Sequence, residues 1–154
     1  MKGSDASDRP KKAIHSISVR VFAHGTENES KVLAALRLIV PETVTVDRLQ
    51  VTGHFGNPMV ILTARTEKAN DTRHIIDAIK TKLPKGELTE LREQIPQHLD
   101  QRCTLVLKFD KQAAARGFLR QTKEDPIVLH AKIAAFPARL QNAMQITRDL
   151  FDDA

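Results

Sequence analysis

Apolar and polar positions along the chain alternate with two different periods. From Ala13 to His24 the period is two, with Ile17, Val19, Val21 and Ala23 on one side and Ser16, Ser18, Arg20, Phe22 and His24 on the other. That is the pattern of a half-buried strand. Thr26 and Glu29 then carry the T-x-x-E spacing of a capping box, and Val32, Leu33, Leu36 and Ile39 recur at helical spacing up to Pro41, which predicts a first helix. Two runs rich in β-branched residues, Thr43 to Val51 and Met59 to Arg65, flank the turn-forming segment from Gly53 to Pro58 and predict a hairpin. Asn70 or Asp71 can cap a second helix with Ile75, Ile76, Ile79 and Leu83 as its buried stripe, ended by Pro84 and Gly86. Leu88, Leu91 and Ile95 suggest a short third helix stopped at Pro96.

The C-terminal third repeats the pattern. Cys103, Leu105, Leu107 and Phe109 alternate with Thr104, Val106, Lys108 and Asp110 as a further strand, and Asp110 to Gly117 reads as a capped helical turn closed by glycine. A last strand is predicted from Ile127 to Phe136, with His130 and Lys132 on one parity. Pro137 can open a final helix carrying Leu140, Ala143, Met144, Thr147, Leu150 and Phe151 at helical spacing.

The resulting order is β-α-β-β-α-α-β-β-α. Its strands come in pairs too close for parallel crossovers, so the expected class is α+β, a mostly antiparallel sheet with helices packed on one face. The polar sides of the strands then place Arg20, Phe22, His24, Lys108, His130 and Lys132 on or near an open face, a mixture of cations and hydrogen-bond donors suited to phosphates and bases. A face that is only solvated gives the same pattern. With 154 residues, one domain over 13–154 is expected behind a flexible polar tail over 1–12. No apolar run approaches the roughly 18 to 20 residues of a membrane span, so no membrane partner is expected. Cys103 is the only cysteine, which rules out an intramolecular disulfide and suits a reducing cytoplasm. On the core parity of its strand it is expected to be buried and inert.

Charge adds a direction. The formal net charge is +5 with a pI near 9.6. The stretch from Arg102 to Arg139 holds Arg102, Lys108, Lys111, Arg116, Arg120, Lys123, Lys132 and Arg139 against Asp110, Glu124 and Asp125. A basic segment of this kind favours a polyanionic partner. The absence of Trp and Tyr argues against binding built on many stacked bases.

Of the short motifs, Gly53-His54-Phe55-Gly56 spells the G-x-x-G of KH domains. There it joins two helices, whereas here it joins two predicted strands, so a tight turn is the better local reading. His54, Phe55 and Asn57 on that turn are candidates for ligand contact. Lys111, Gln112 and Arg116 could meet phosphates at the start of the Asp110–Gly117 turn, with Asp110 partly competing. The six histidines lack metal-ligand spacing, and no phosphate-loop, dinucleotide or nucleophile-elbow motif is present. No catalytic residue, metal or cofactor is expected.

Val51 to Met59, with its G-H-x-G-N-P string, Lys108 to Ala115, with D-K-Q-A-A, Asp125-Pro126-Ile127 and the opening Ile17 to His24 together resemble an archaeal family of small proteins described as RNA-binding and as predicted exosome subunits. The resemblance runs from about Ile14 to Phe136. It implies a fold similar to that of the ribosomal protein that carries 5S rRNA, and it implies no catalytic residue. Thr52 stands where the family pattern has an acidic residue, and Ala115-Arg116 where it has an aromatic and an aliphatic one.

Three functions compete. The first is an RNA-binding protein, with RNA and exosome subunits as partners, whose contacts are drawn from Arg20, Phe22, His24, His54, Phe55, Asn57, Lys108, Lys111, Gln112, Arg116, His130 and Lys132. The second is a small nuclease using histidines and lysines near His54 and Lys111. The third is a protein-interaction subunit that uses the open face or a sheet edge, as in a homodimer, with no direct RNA contact.

Overall fold

The computed structural model describes residues 12–152; the predicted tail over 1–12 lies almost entirely outside them. Five strands, β1 (Ile14–His24), β2 (Val46–Thr52), β3 (Pro58–Thr66), β4 (Thr104–Phe109) and β5 (Ile127–Ile133), form one sheet in the order β2-β3-β1-β5-β4, with every pairing antiparallel. The class is α+β, as the strand pairing predicts. The central strand is β1, whose Ile17, Val19 and Val21 are fully buried.

Helices α1 (Glu29–Ile39), α2 (Ala69–Lys82), α3 (Lys85–Glu93), α4 (Ile95–His98), α5 (Lys111–Ala115) and α6 (Leu140–Leu150) complete the described residues. Their apolar stripes close over one face of the sheet. Val32, Leu36 and Ile39 of α1, Ile75, Ile76 and Ile79 of α2 and Ala143 of α6 share a buried cluster with Val19, Leu62, Leu107, Leu129 and Phe109. Burying a side chain of this size contributes about 1.5 to 3 kcal/mol. The pattern of apolar residues therefore decides which side of the sheet the helices cover. Cys103 is buried with this cluster, at a left-handed backbone position, φ 62°.

Element ends differ from the sequence expectations for local reasons. Asn28 and not Thr26 caps α1, accepting from the Ser30 and Lys31 amides. Asp71 does not cap α2 either. Its carboxylate is buried and accepts from the Thr43 hydroxyl at 2.6 Å and the Thr66 hydroxyl at 3.0 Å, which ties the end of β3 to the start of that helix. Pro96 does not end a helix but sits in the first turn of α4, where its missing N–H is harmless. Pro137 lies upstream of α6, which begins only at Leu140.

Candidate nucleic-acid interface

Side chains on cross-strand partners share a face, so the registers define what the uncovered side of the sheet presents. Arg20 pairs with Thr63 on one side and Val128 on the other, and Val128 pairs with Lys108. Arg20 and Lys108 thus stand on the same face, two strands and about 10 Å apart. The next row along the sheet is Arg65, Ser18, His130 and Val106, and beyond it come Ser16, Lys132 and Thr104. Arg20, Lys108 and Lys132 are exposed and His130 is half-buried. The Lys132 Nζ donates to the Arg102 carbonyl at 3.1 Å, which leaves its other protons to solvent. Arg65, which the strand parity alone would have found, joins this face and pairs with Glu67 at 2.8 Å.

The other half of the same face is apolar. Phe22 pairs with Ile61, which pairs with Leu49, and His24 pairs with Met59, which pairs with Val51. Leu49 is 59% exposed. The β2–β3 loop projects from this end of the sheet. Its Gly53 amide donates to the Asn57 carbonyl and its Gly56 amide to the Gly53 carbonyl, with Gly56 at φ 82°. His54 and Phe55 meet edge to face at 4.8 Å, and Phe55 is 91% exposed. His54, Phe55 and Asn57 are therefore a solvent-facing tip, as expected.

Lys111 is placed otherwise than expected. It opens α5 but points inward, its side chain only 7% exposed. Its Nζ donates to the Phe22 carbonyl at 2.8 Å, to Glu27 Oε1 at 2.9 Å and to Asp125 Oδ2 at 2.7 Å. Three protons meet three acceptors, so none is left for a phosphate. His24 Nε2 lies 3.1 Å from the same Asp125 oxygen. Gln112 and Arg116 are exposed, but α5 packs against α1 on the helical side, so they stand apart from the open face. Glu27 and Asp125 complete a cluster that local patterns do not reveal, since its members come from distant segments of the chain. His24, Glu27 and Asp125 together have the chemistry of a metal site. Here the Lys111 ammonium already bridges the two carboxylates, supplying the positive charge that a metal ion would bring.

Burial pushes the Glu27 carboxyl up, but the His24 amide and the Lys111 ammonium outweigh it and hold it below the ordinary 4.5. Asp125 behaves alike: burial raises it, and hydrogen bonds from Lys111 and His24 bring it below the ordinary 3.8. Groups depressed on folding contribute stability above their unfolded pKa and lose it as pH falls through the folded value. Unfolding by urea should therefore show stability falling as pH drops below about 4.5. The margin of the wild type over a Lys111→Met variant should shrink through that same window. A margin that held constant from pH 6 to pH 3 would contradict the assignment.

Comparison with known proteins extends this geometry. A family model described as RNA binding matches residues 16–133. The chain belongs to this RNA-binding family. An RNA-binding protein of Pyrococcus abyssi is 29% identical over 141 residues, covering 88% of this chain and 92% of that one. Among solved structures, a protein of Methanothermobacter thermautotrophicus from the family designated DUF54 is 30% identical with a TM-score of 0.76, covering 91% of this chain and 99% of its own. A protein of Archaeoglobus fulgidus, 24% identical, has the same fold with a TM-score of 0.78 over 89% of this chain and 99% of its own. The segments that carry the resemblance to the family converge at one end of the sheet. His24 ends β1, and Lys111 and Asp125 meet it there in the ion cluster. The start of β3, where the β2–β3 loop ends, abuts Gly25, and an added Cβ there would come within 3.1 Å of the Pro58 carbonyl oxygen.

Proposed function

We propose that this chain binds RNA through the open face of its sheet, holding the backbone with Arg20, Lys108 and Lys132 and offering His130, His54, Phe55 and Asn57 to bases. The reading rests above all on the register that sets Arg20 and Lys108 on either side of Val128. Family membership supports it. Phosphate contacts would supply most of the affinity, and unpaired bases would be read at the loop and the imidazoles. The ion cluster around the buried Lys111 then acts as a positioning device and not as a catalytic centre, because its charges are spent on one another. An accessory role beside an RNA-degrading exosome, in the cytoplasm, is the setting in which such a module would deliver RNA.

Ultraviolet cross-linking to a mixed single-stranded RNA, read by mass spectrometry of the peptides, tests this placement. Cross-links should fall on peptides of β1, β4, β5 and the β2–β3 loop. Cross-links confined to α1, α2 and α3 would overturn it. Phe55→Ala should weaken binding to unpaired RNA by about 1 to 3 kcal/mol, the usual contribution of one stacked base, without changing the salt dependence.

A second reading, self-association through the sheet face, is favoured by the apolar half formed by Phe22, Leu49, Val51, Met59 and Ile61. Sedimentation of the free protein separates the two: a dimer whose formation hides Leu49 would assign that half to the chain's own copies.

A further inference from the structure

Beside β4 the structure holds a groove of about 680 Å³ that is continuous with the open face through Lys108. It runs between the α3–α4 corner and the segment 121–123 that precedes β5. Its walls are Gln94, Gln97, His98, Val106 and Gln121, and Lys108 and Lys123 stand on it as cations. Grooves of this size hold small ligands, and a few convergent polar groups set among apolar ones give them selectivity. Glutamine amides are both donors and acceptors and suit the edge of a base.

One wall residue carries an unsatisfied atom beneath the groove surface. His98 Nε2 is buried with no hydrogen-bond partner. The ring's partner is the Val106 backbone, and we assign the ring proton to the nitrogen that faces it, which leaves Nε2 a bare acceptor. Burial holds this imidazole below its ordinary value despite the Val106 contact, so it stays neutral near pH 7. A buried acceptor without a donor is costly, and a ligand N–H that displaces the groups covering Nε2 relieves that cost directly or through one bridging water. Glu90 and Asp100 add carboxylates, which only accept, to the lining, with Asp100 Oδ1 already taking the Arg102 and Thr104 amides.

We propose that this groove is a base-reading subsite that takes one unpaired nucleobase with a donor-rich edge, guanine before the others, from a strand whose phosphates lie on Lys108 and Lys123. Guanine suits it because its ring N–H and exocyclic amine are adjacent donors. The inference rests on the RNA-binding reading and adds to it a place and a preference.

Binding of short oligouridylates carrying a single central guanosine, adenosine, cytidine or abasic site, measured by fluorescence anisotropy, tests it. Guanosine should be held about tenfold more tightly than the abasic site, within the range expected of a two-bond base contact. His98→Phe, which keeps a planar aromatic ring but removes the acceptor, should reduce that preference to within about twofold. The salt slope should stay unchanged, since no phosphate contact is lost. If His98→Phe fails to fold, Gln97→Ala carries the same test, because Gln97 is exposed in the groove wall. Salt-dependent binding with no difference among guanosine, adenosine, cytidine and abasic strands would overturn the subsite and leave RNA binding standing. A preference for another base would overturn the guanine assignment. No binding of any strand at low salt would overturn both readings.

Discussion

With Arg20, Lys108 and Lys132 all changed to alanine, affinity for single-stranded RNA near 0.1 M salt should fall by roughly a hundredfold. Each phosphate contact to a single strand contributes about −0.7 to the slope of log K against log salt, so each contributes about 0.7 log unit at 0.1 M relative to 1 M. Three contacts therefore give about two log units, and their loss should flatten the slope by about 2. All three side chains are exposed, and the core lies on the opposite face of the sheet, so thermal stability should scarcely move. The control is Lys31→Ala, Arg73→Ala and Lys85→Ala together, which removes the same charge from exposed positions on the helices. A loss of affinity in the control as large as in the face variant would show that net charge, and not the sheet face, holds the RNA.

The largest effect on stability is expected at Lys111. Breaking a buried ion pair by removing one partner costs about 3 to 5 kcal/mol because the other charge is left uncompensated. In this cluster Glu27 and Asp125 keep side-chain exposures of 23% and 47%, so water recovers part of that cost. Lys111→Ala should therefore destabilise by about 2 to 3 kcal/mol, a fall of roughly 5 to 10 °C in melting temperature for a chain of this length. Adding Glu27→Gln and Asp125→Asn to a Lys111→Met background should restore part of the loss, since no uncompensated charge then remains. Its RNA affinity, measured well below the melting temperature, should change little, and the salt slope should be that of the wild type. A stable Lys111→Ala protein with a flattened slope would return Lys111 to the phosphate-binding surface.

Strand parity was legible from the sequence because one face of the sheet is buried and the period is two. Ile17, Val19 and Val21 could only face the helices, and Arg20 followed to the other side. The same parity put Lys108, His130 and Lys132 there, and the observed registers align them. Element ends were less legible, because several residues near each end can cap and tertiary partners choose among them. Asp71 had the chemistry of a cap but was taken by Thr43 and Thr66. Lys111 was the least legible of the candidate site residues. A lysine at the first position of a short helix usually faces water, and the acceptors that draw it inward, Phe22, Glu27 and Asp125, are neighbours only once β1, α5 and the turn before β5 are assembled. The unpartnered nitrogen of His98 was hidden for the same reason, since only the fold shows which polar atoms end without a partner.

The most direct test of RNA binding through the open face is a titration of single-stranded RNA with the folded protein over a range of salt concentrations. With Lys111 engaged internally, three to four phosphate contacts remain, and log K should fall against log salt with a slope of roughly −2 to −3. A slope near zero, or no binding at low salt by protein shown to be folded, would contradict it.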